Sequence, residues 1–224
     1  MKQIFRSFIL LLLAASTQFF VWQKKTRILF FGDSITQAGV QPGGYITRMG
    51  EMLKARNLSD QYELVGAGIG GNKIYDLYLR ADEDVLAKSP DVVVIWVGVN
   101  DVWHKASSGT GTDADKFERF YTALIKKLHA KGIKVHLATP AAIGEHTDYS
   151  NQQDGDLNHY ANIIRRLAQQ NGCGLIDLRK AFLDYNQKNN PQNLEKGILT
   201  TDRVHLNEKG NTLVAEQMVG ALVR

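Results

Sequence analysis

Apolar positions along this chain follow two rhythms that alternate with one another. Short unbroken apolar runs predict strands at 27–31, 62–65, 91–97, 134–137 and 175–178. Between them, apolar residues recur every three or four positions, which predicts helices at 45–56, 116–130 and 157–170. A last helix is expected from the cap residue Asn207 to about 223. In the helix at 116–130, Phe117, Phe120, Leu124 and Leu128 form the apolar stripe, and Gly132 stops it. Val92-Val93-Val94-Ile95-Trp96-Val97 has no polar alternation, which suits a strand covered on both faces. Strands and helices in alternation predict an α/β fold, a parallel sheet with helices on both faces. No repeat or linker breaks the pattern, so one domain is expected over 23–224.

Residues 1–22 have a different pattern. Lys2 and Arg6 precede an apolar stretch from Phe8 to Ala15, and Ala14, Ala15 and Ser16 are small enough for a cleavage site. That arrangement reads as a secretion signal and predicts a secreted or periplasmic protein, without stable membrane association once the signal is cleaved. Phe19-Phe20-Val21-Trp22 leaves a second reading open, an uncleaved membrane anchor.

Composition narrows the function classes. A hydrophobic content of 44% and a charged content of 22% suit a globular domain. The formal net charge is +4, but there is no basic run or basic-aromatic stripe, so nucleic acid is not an expected partner. Cys173 is the only cysteine, which excludes an intramolecular disulfide. His104, His129, His136, His146 and His159 lack ligand spacing, so no metal is expected. Gly66-Ala67-Gly68-Ile69-Gly70-Gly71 matches the dinucleotide-binding glycine pattern. The acidic residue that would hold a ribose is missing from the end of the next strand, where Gly98-Val99-Asn100 stands instead. No cofactor is therefore expected. Glycines there also let a backbone N–H come close to a substrate.

The candidate chemistry sits at the strand ends. Ligands of an open parallel sheet bind outside the carboxyl ends of its strands. Gly32-Asp33-Ser34-Ile35-Thr36 follows the first predicted strand, Gly66 to Asn72 the second, and Gly98-Val99-Asn100-Asp101 the third. Asp202-Arg203-Val204-His205 comes after the fifth and can fold over the same edge. A serine hydroxyl needs a base, and a histidine base needs a carboxylate to fix its tautomer. Ser34, His205 and Asp202 supply those three groups. Taken singly, each motif is also a common turn or helix cap. Trp103 and His104 follow the Asn100 turn and are candidates for the substrate rim, although an ordinary surface loop explains them equally.

Taken together and in this order, the four blocks resemble the SGNH hydrolases, also called GDSL esterases or lipases. The resemblance spans essentially the whole chain after the leader. It implies a flavodoxin-like three-layer α/β/α sandwich with a five-stranded parallel sheet. It implies Ser34 as nucleophile, Asp202 and His205 as its partners, and an oxyanion hole made by the N–H groups of Ser34 and Gly71 and the amide of Asn100. Gly66 and Gly70 stand where members often carry Asn and Ser, a departure that bears on loop stiffness. The expected activity is hydrolysis of carboxylic esters through an acyl-enzyme. With no lid or lipid-binding domain visible, the expected substrates are small-molecule or carbohydrate esters with short acyl groups such as acetyl. The polar stretch 143–156 is expected to join Trp103 and His104 in an open rim. Lipase-like, phospholipase-like or acyltransferase activity, or a non-catalytic carbohydrate-binding protein on the same fold, are the alternatives. The sequence does not set an oligomeric state.

Overall fold

The computed structural model describes residues 24–223, so the expected leader lies outside the described residues. Five strands form one parallel sheet in the order β2-β1-β3-β4-β5. They are β1 (Thr26–Gly32), β2 (Tyr62–Gly68), β3 (Val92–Trp96), β4 (Lys134–Ala138) and β5 (Gly174–Ile176). Among the described residues the helices are α1 (Ser34–Gly39), α2 (Tyr45–Ala55), α3 (Ile74–Asp84), α4 (Val99–Ser108), α5 (Ala114–His129), α6 (Asp154–Asn171), α7 (Leu178–Asn189) and α8 (Glu208–Leu222). None of them is long and apolar enough to cross a membrane.

The strand order explains the layers. The chain moves one way from β1 to β2 and the other way from β2 to β3. Right-handed crossovers therefore put α2 on one face and α3 on the other. α8 packs against α2, while α5 packs between α3 and α6. The result is a three-layer α/β/α sandwich. Ile28, Leu29, Phe30 and Phe31 of β1 and Val93, Val94 and Ile95 of β3 are fully buried, because both faces of these central strands are covered.

Register then sets the functional edge. Gly32 at the end of β1 pairs with Gly68 of β2 on one side and Trp96 of β3 on the other. The carboxyl ends of the three strands are level, and the strand order reverses between β1 and β3. A crevice at such a reversal is where this architecture binds ligands.

The structure differs from the sequence expectations in several segments. The expected turn after Gly98 is the first part of α4, entered through Gly98 at φ +135, a conformation that favours glycine. The fifth strand ends at Ile176, and Leu178 opens α7. α3 and α7 were not legible because each buries few apolar residues, Ile74, Leu77 and Ala81 in one and Leu178 and Phe182 in the other. Polar residues take other inward positions, Arg80 in α3 and Arg179 and Asn186 in α7, and they break the periodic apolar signal.

Candidate active site

Ser34 is the first residue of α1, one step past the buried Asp33 and two past β1. Its Oγ lies 3.0 Å from Nε2 of His205. Nδ1 of the same imidazole lies 2.7 Å from Oδ2 of Asp202. The other carboxylate oxygen, Oδ1, accepts the backbone N–H groups of His205 at 2.8 Å and Val204 at 3.1 Å. These contacts fix the tautomer. A carboxylate only accepts, so Nδ1 carries the proton and donates it, leaving the Nε2 lone pair facing the serine hydroxyl. Partial burial pushes the Asp202 carboxyl up, but the His205 imidazole and the two backbone donors outweigh it and hold Asp202 below its usual value. The turn carrying these residues is tight: Arg203 has φ +89, a strained value for a residue with a side chain.

Facing the serine is the loop after β2. Gly70 passes so close that a Cβ added there would lie 3.9 Å from Cβ of Ser34. Gly68 just before it tolerates no side chain, since a Cβ would sit 2.1 Å from the backbone nitrogen of Gln37. The Gly70 N–H donates to Oε1 of Gln37 at 2.8 Å, and the Asn72 N–H to the Ile69 carbonyl at 3.3 Å. The Gly71 N–H between them has no partner among the described residues, and Gly71 has φ +76. The Ser34 N–H opens a helix and so lacks an intrahelical acceptor. Asn100, buried in the first turn of α4, donates one Nδ2 hydrogen to the Asn72 carbonyl at 3.1 Å and keeps the other. Three unused donors thus stand at the same sheet edge as the Ser34 hydroxyl. Such an arrangement can activate a serine and receive negative charge on a carbonyl oxygen.

Buried polar groups beneath the site hold the motifs in place. Oδ1 of Asp33 accepts the Ile35 N–H at 3.0 Å and caps α1. Burial pushes its carboxyl up to about 6, against that hydrogen bond and the nearby His205. Thr36 meets the Tyr45 hydroxyl at 3.1 Å, and the Tyr45 ring packs edge-on between Phe30 and Trp96. Burial likewise pushes Asp101 up to about 7, and its Oδ1 accepts the Ile74 N–H at the start of α3 at 3.2 Å. Among the described residues, no group of three or more His, Cys, Asp or Glu side chains converges to hold a metal ion.

The segments expected at the substrate rim are partly buried. Trp103 and His104 lie on α4, not on a loop, and both are half-buried, with ring centroids 5.6 Å apart. Partial burial and the Lys73 ammonium hold His104 below its usual value. The stretch 143–156 is only partly open: Asp148, Tyr149 and Ser150 are exposed, but Ile143, Gly144, Glu145 and Asn151 are buried. Glu145 explains this. Its carboxylate accepts the N–H groups of Ile198 at 2.8 Å, Leu199 at 2.7 Å and Thr200 at 2.8 Å. Next to it, the Gly144 N–H donates to the Arg203 carbonyl at 2.9 Å. Gly144 and Glu145 thus form a strut under the turn that presents Asp202 and His205.

Glu145→Gln tests the strut with almost no change of shape. The glutamine NH2 would face a backbone donor, leaving a buried N–H unsatisfied at about 1–3 kcal/mol. Melting temperature should fall by several degrees, and kcat/KM should fall at least several-fold in the folded protein. Unchanged melting and activity would show that the carboxylate holds nothing.

Comparison with known proteins matches this geometry to a family. The model of the GDSL-like lipase/acylhydrolase family matches residues 30–213, from within β1 to within α8. The chain is similar to an acetylxylan esterase of Geobacillus stearothermophilus, 28% identical over 207 residues, 84% of this chain and 90% of that protein. The crystal structure of the acetyl xylan esterase AlAXEase is 69% identical and superposes with a TM-score of 0.87 over 88% of this chain and all of the other. Axe2, an acetylxylan esterase from Geobacillus stearothermophilus, superposes at 25% identity and a TM-score of 0.78, covering about nine-tenths of this chain and 96% of its own. Catalytic mutants solved for Axe2 include one histidine-to-alanine and one aspartate-to-alanine change, three positions apart. A family match running through all four motif blocks, on a sheet whose edge gathers them, means that this chain belongs to the GDSL-like lipase/acylhydrolase family and is a serine hydrolase acting on ester bonds.

Proposed function

We propose that the protein removes short acyl groups, acetyl foremost, from a carbohydrate ester, with Ser34 as nucleophile, His205 as base and Asp202 as the carboxylate that orients it. The observation that carries this reading is the continuous relay from Ser34 Oγ through His205 to Asp202, at 3.0 and 2.7 Å. His205 takes the Ser34 proton on Nε2 as Oγ attacks the ester carbonyl. The carbonyl electrons move onto oxygen, and the N–H groups of Ser34 and Gly71 and the free amide hydrogen of Asn100 receive that charge. As the intermediate collapses and the bond from the carbonyl carbon to the sugar oxygen breaks, the imidazolium, stabilised by Asp202, gives its proton to that oxygen, which leaves as a hydroxyl, and the acyl group remains on Ser34. Water then attacks the acyl-enzyme with His205 again as base, releasing the acid and restoring Ser34.

Two findings support the substrate class. AlAXEase, at 69% identity, is an acetyl xylan esterase, and so is the Geobacillus relative. The aspartate and histidine whose replacement gives catalytic mutants in Axe2 have the same spacing as Asp202 and His205. The test is a panel of p-nitrophenyl esters of increasing chain length beside acetylated xylan. Acetate release from xylan, with kcat/KM on the simple esters falling at least tenfold from acetyl to octanoyl, is the expected result. Rates that rise with chain length, and no acetate from xylan, would point to lipase-like activity.

A further inference from the structure

Arg80 is where α3 reaches back to the catalytic edge. Its side chain is mostly buried, with 14% of its surface exposed. Nη2 donates to the backbone carbonyl of Gly32 at 2.8 Å and to that of Ala67 at 3.0 Å. Nε donates to Oδ1 of Asn72 at 2.7 Å. Nη1 pairs with Asp84, one helical turn on, at 2.6 Å. The guanidinium lies over the Phe31 ring, with Cζ 4.4 Å from the centroid. One rigid planar group therefore binds the end of the strand that leads to Ser34, the end of the strand that leads to Gly71, and the loop between Gly71 and α3.

Asn72 is the link that gives this a chemical consequence. Arg80 holds its side chain, and its backbone carbonyl accepts one hydrogen of the Asn100 amide. The direction of the second Asn100 hydrogen depends on where that carbonyl stands. So does the placement of the Gly71 N–H, one residue earlier in the same loop. We infer that Arg80 is a positioning residue for the oxyanion donors, acting through Asn72 on Asn100 and Gly71. The inference rests on the oxyanion role proposed for those two residues. Arginine is required because three acceptors in different directions need a forked, planar donor set, whereas lysine offers a single point of charge. Displacement of a catalytic group by about 1 Å is enough to cost roughly 100-fold in rate.

The experiment compares Arg80→Lys, Asp84→Asn and Asn100→Ala, alone and with Arg80→Lys combined with Asn100→Ala, in folded protein counted by active-site titration. Arg80→Lys should lower kcat by roughly 10–100-fold with KM changed less than about threefold. Asp84→Asn leaves the bonds to Gly32, Ala67 and Asn72 in place and should keep normal kcat. Because Arg80→Lys already misaligns the amide, Asn100→Ala should cost much less in its background than in the native chain. A role confined to stability would lower melting temperature and leave the two effects additive. Native kcat in folded Arg80→Lys, or strict additivity, overturns the inference while leaving the oxyanion reading intact if Asn100→Ala alone is impaired. Native kcat in Asn100→Ala overturns both. Should Arg80→Lys fail to fold, Asn72→Ala removes the same hydrogen bond, and its kcat decides in the same way.

Discussion

Ser34→Ala should abolish ester turnover, lowering kcat by about 10⁴-fold or more, while the protein keeps its fold. The size follows from what the hydroxyl does. In the proposed mechanism no acyl-enzyme forms without Oγ, and the remaining donors accelerate only direct attack by water. The loss corresponds to roughly 5 kcal/mol or more of transition-state stabilisation. The fold should survive because Oγ has one hydrogen-bond partner, His205, at a partly open position. The Asp33 cap on Ile35 and the Thr36–Tyr45 contact, which hold this turn, are untouched by the change. His205→Ala should have a similar effect on kcat, since the serine then lacks the base proposed for it. Circular dichroism and melting temperature establish that each variant is folded, and labelling by a serine-directed phosphonate should disappear in Ser34→Ala. More than about a tenth of native activity in purified Ser34→Ala would assign the nucleophile elsewhere.

Asn100→Ala should have the next largest effect, a fall in kcat of roughly 10²–10³-fold with little change in KM. The amide has one hydrogen committed to the Asn72 carbonyl and one available at the catalytic edge. A donor that meets the oxygen only as it becomes an anion contributes to the transition state and not to the bound ester, so kcat carries the loss. Truncation also leaves the Asn72 carbonyl without this donor and opens a small void at a buried site, which costs about 1–3 kcal/mol of stability. The two consequences separate if kcat is expressed per titrated active site and melting is followed on the same preparation. A normal kcat per site, with lowered melting temperature, would make Asn100 a structural residue only.

Most of the fold is legible along the chain because β1 and β3 are covered on both faces. Burial on two sides demands unbroken apolar runs, and those runs are visible without knowing their neighbours. Helices that bury a broad stripe, such as α5 with Phe117, Tyr121, Leu124, Ile125 and Leu128, are legible for the same reason. α3 and α7 bury too little to leave a period. Ser34, Asn100, Asp202 and His205 are legible as candidates because each lies within a short motif at a predicted strand or helix end.

The supports of the site had no such signal. Glu145 touches residues 53 to 55 positions away, and nothing in its neighbourhood marks a buried carboxylate. It reads instead as one more polar residue in a polar stretch. Arg80 is similar: its acceptors at Gly32, Ala67 and Asn72 come from three segments. Local sequence carries periodicity, caps and turn chemistry, because those depend on residues within a few positions of one another. Which backbone N–H groups a buried carboxylate must satisfy, and which carbonyls a guanidinium can bridge, depends on strand order and register. The level ends of β1, β2 and β3 and the reversal between β1 and β3 are what bring these distant groups to one edge. The residue types of the relay were therefore readable in the chain, whereas its distances and the scaffold that holds them were decided only by the folded sheet.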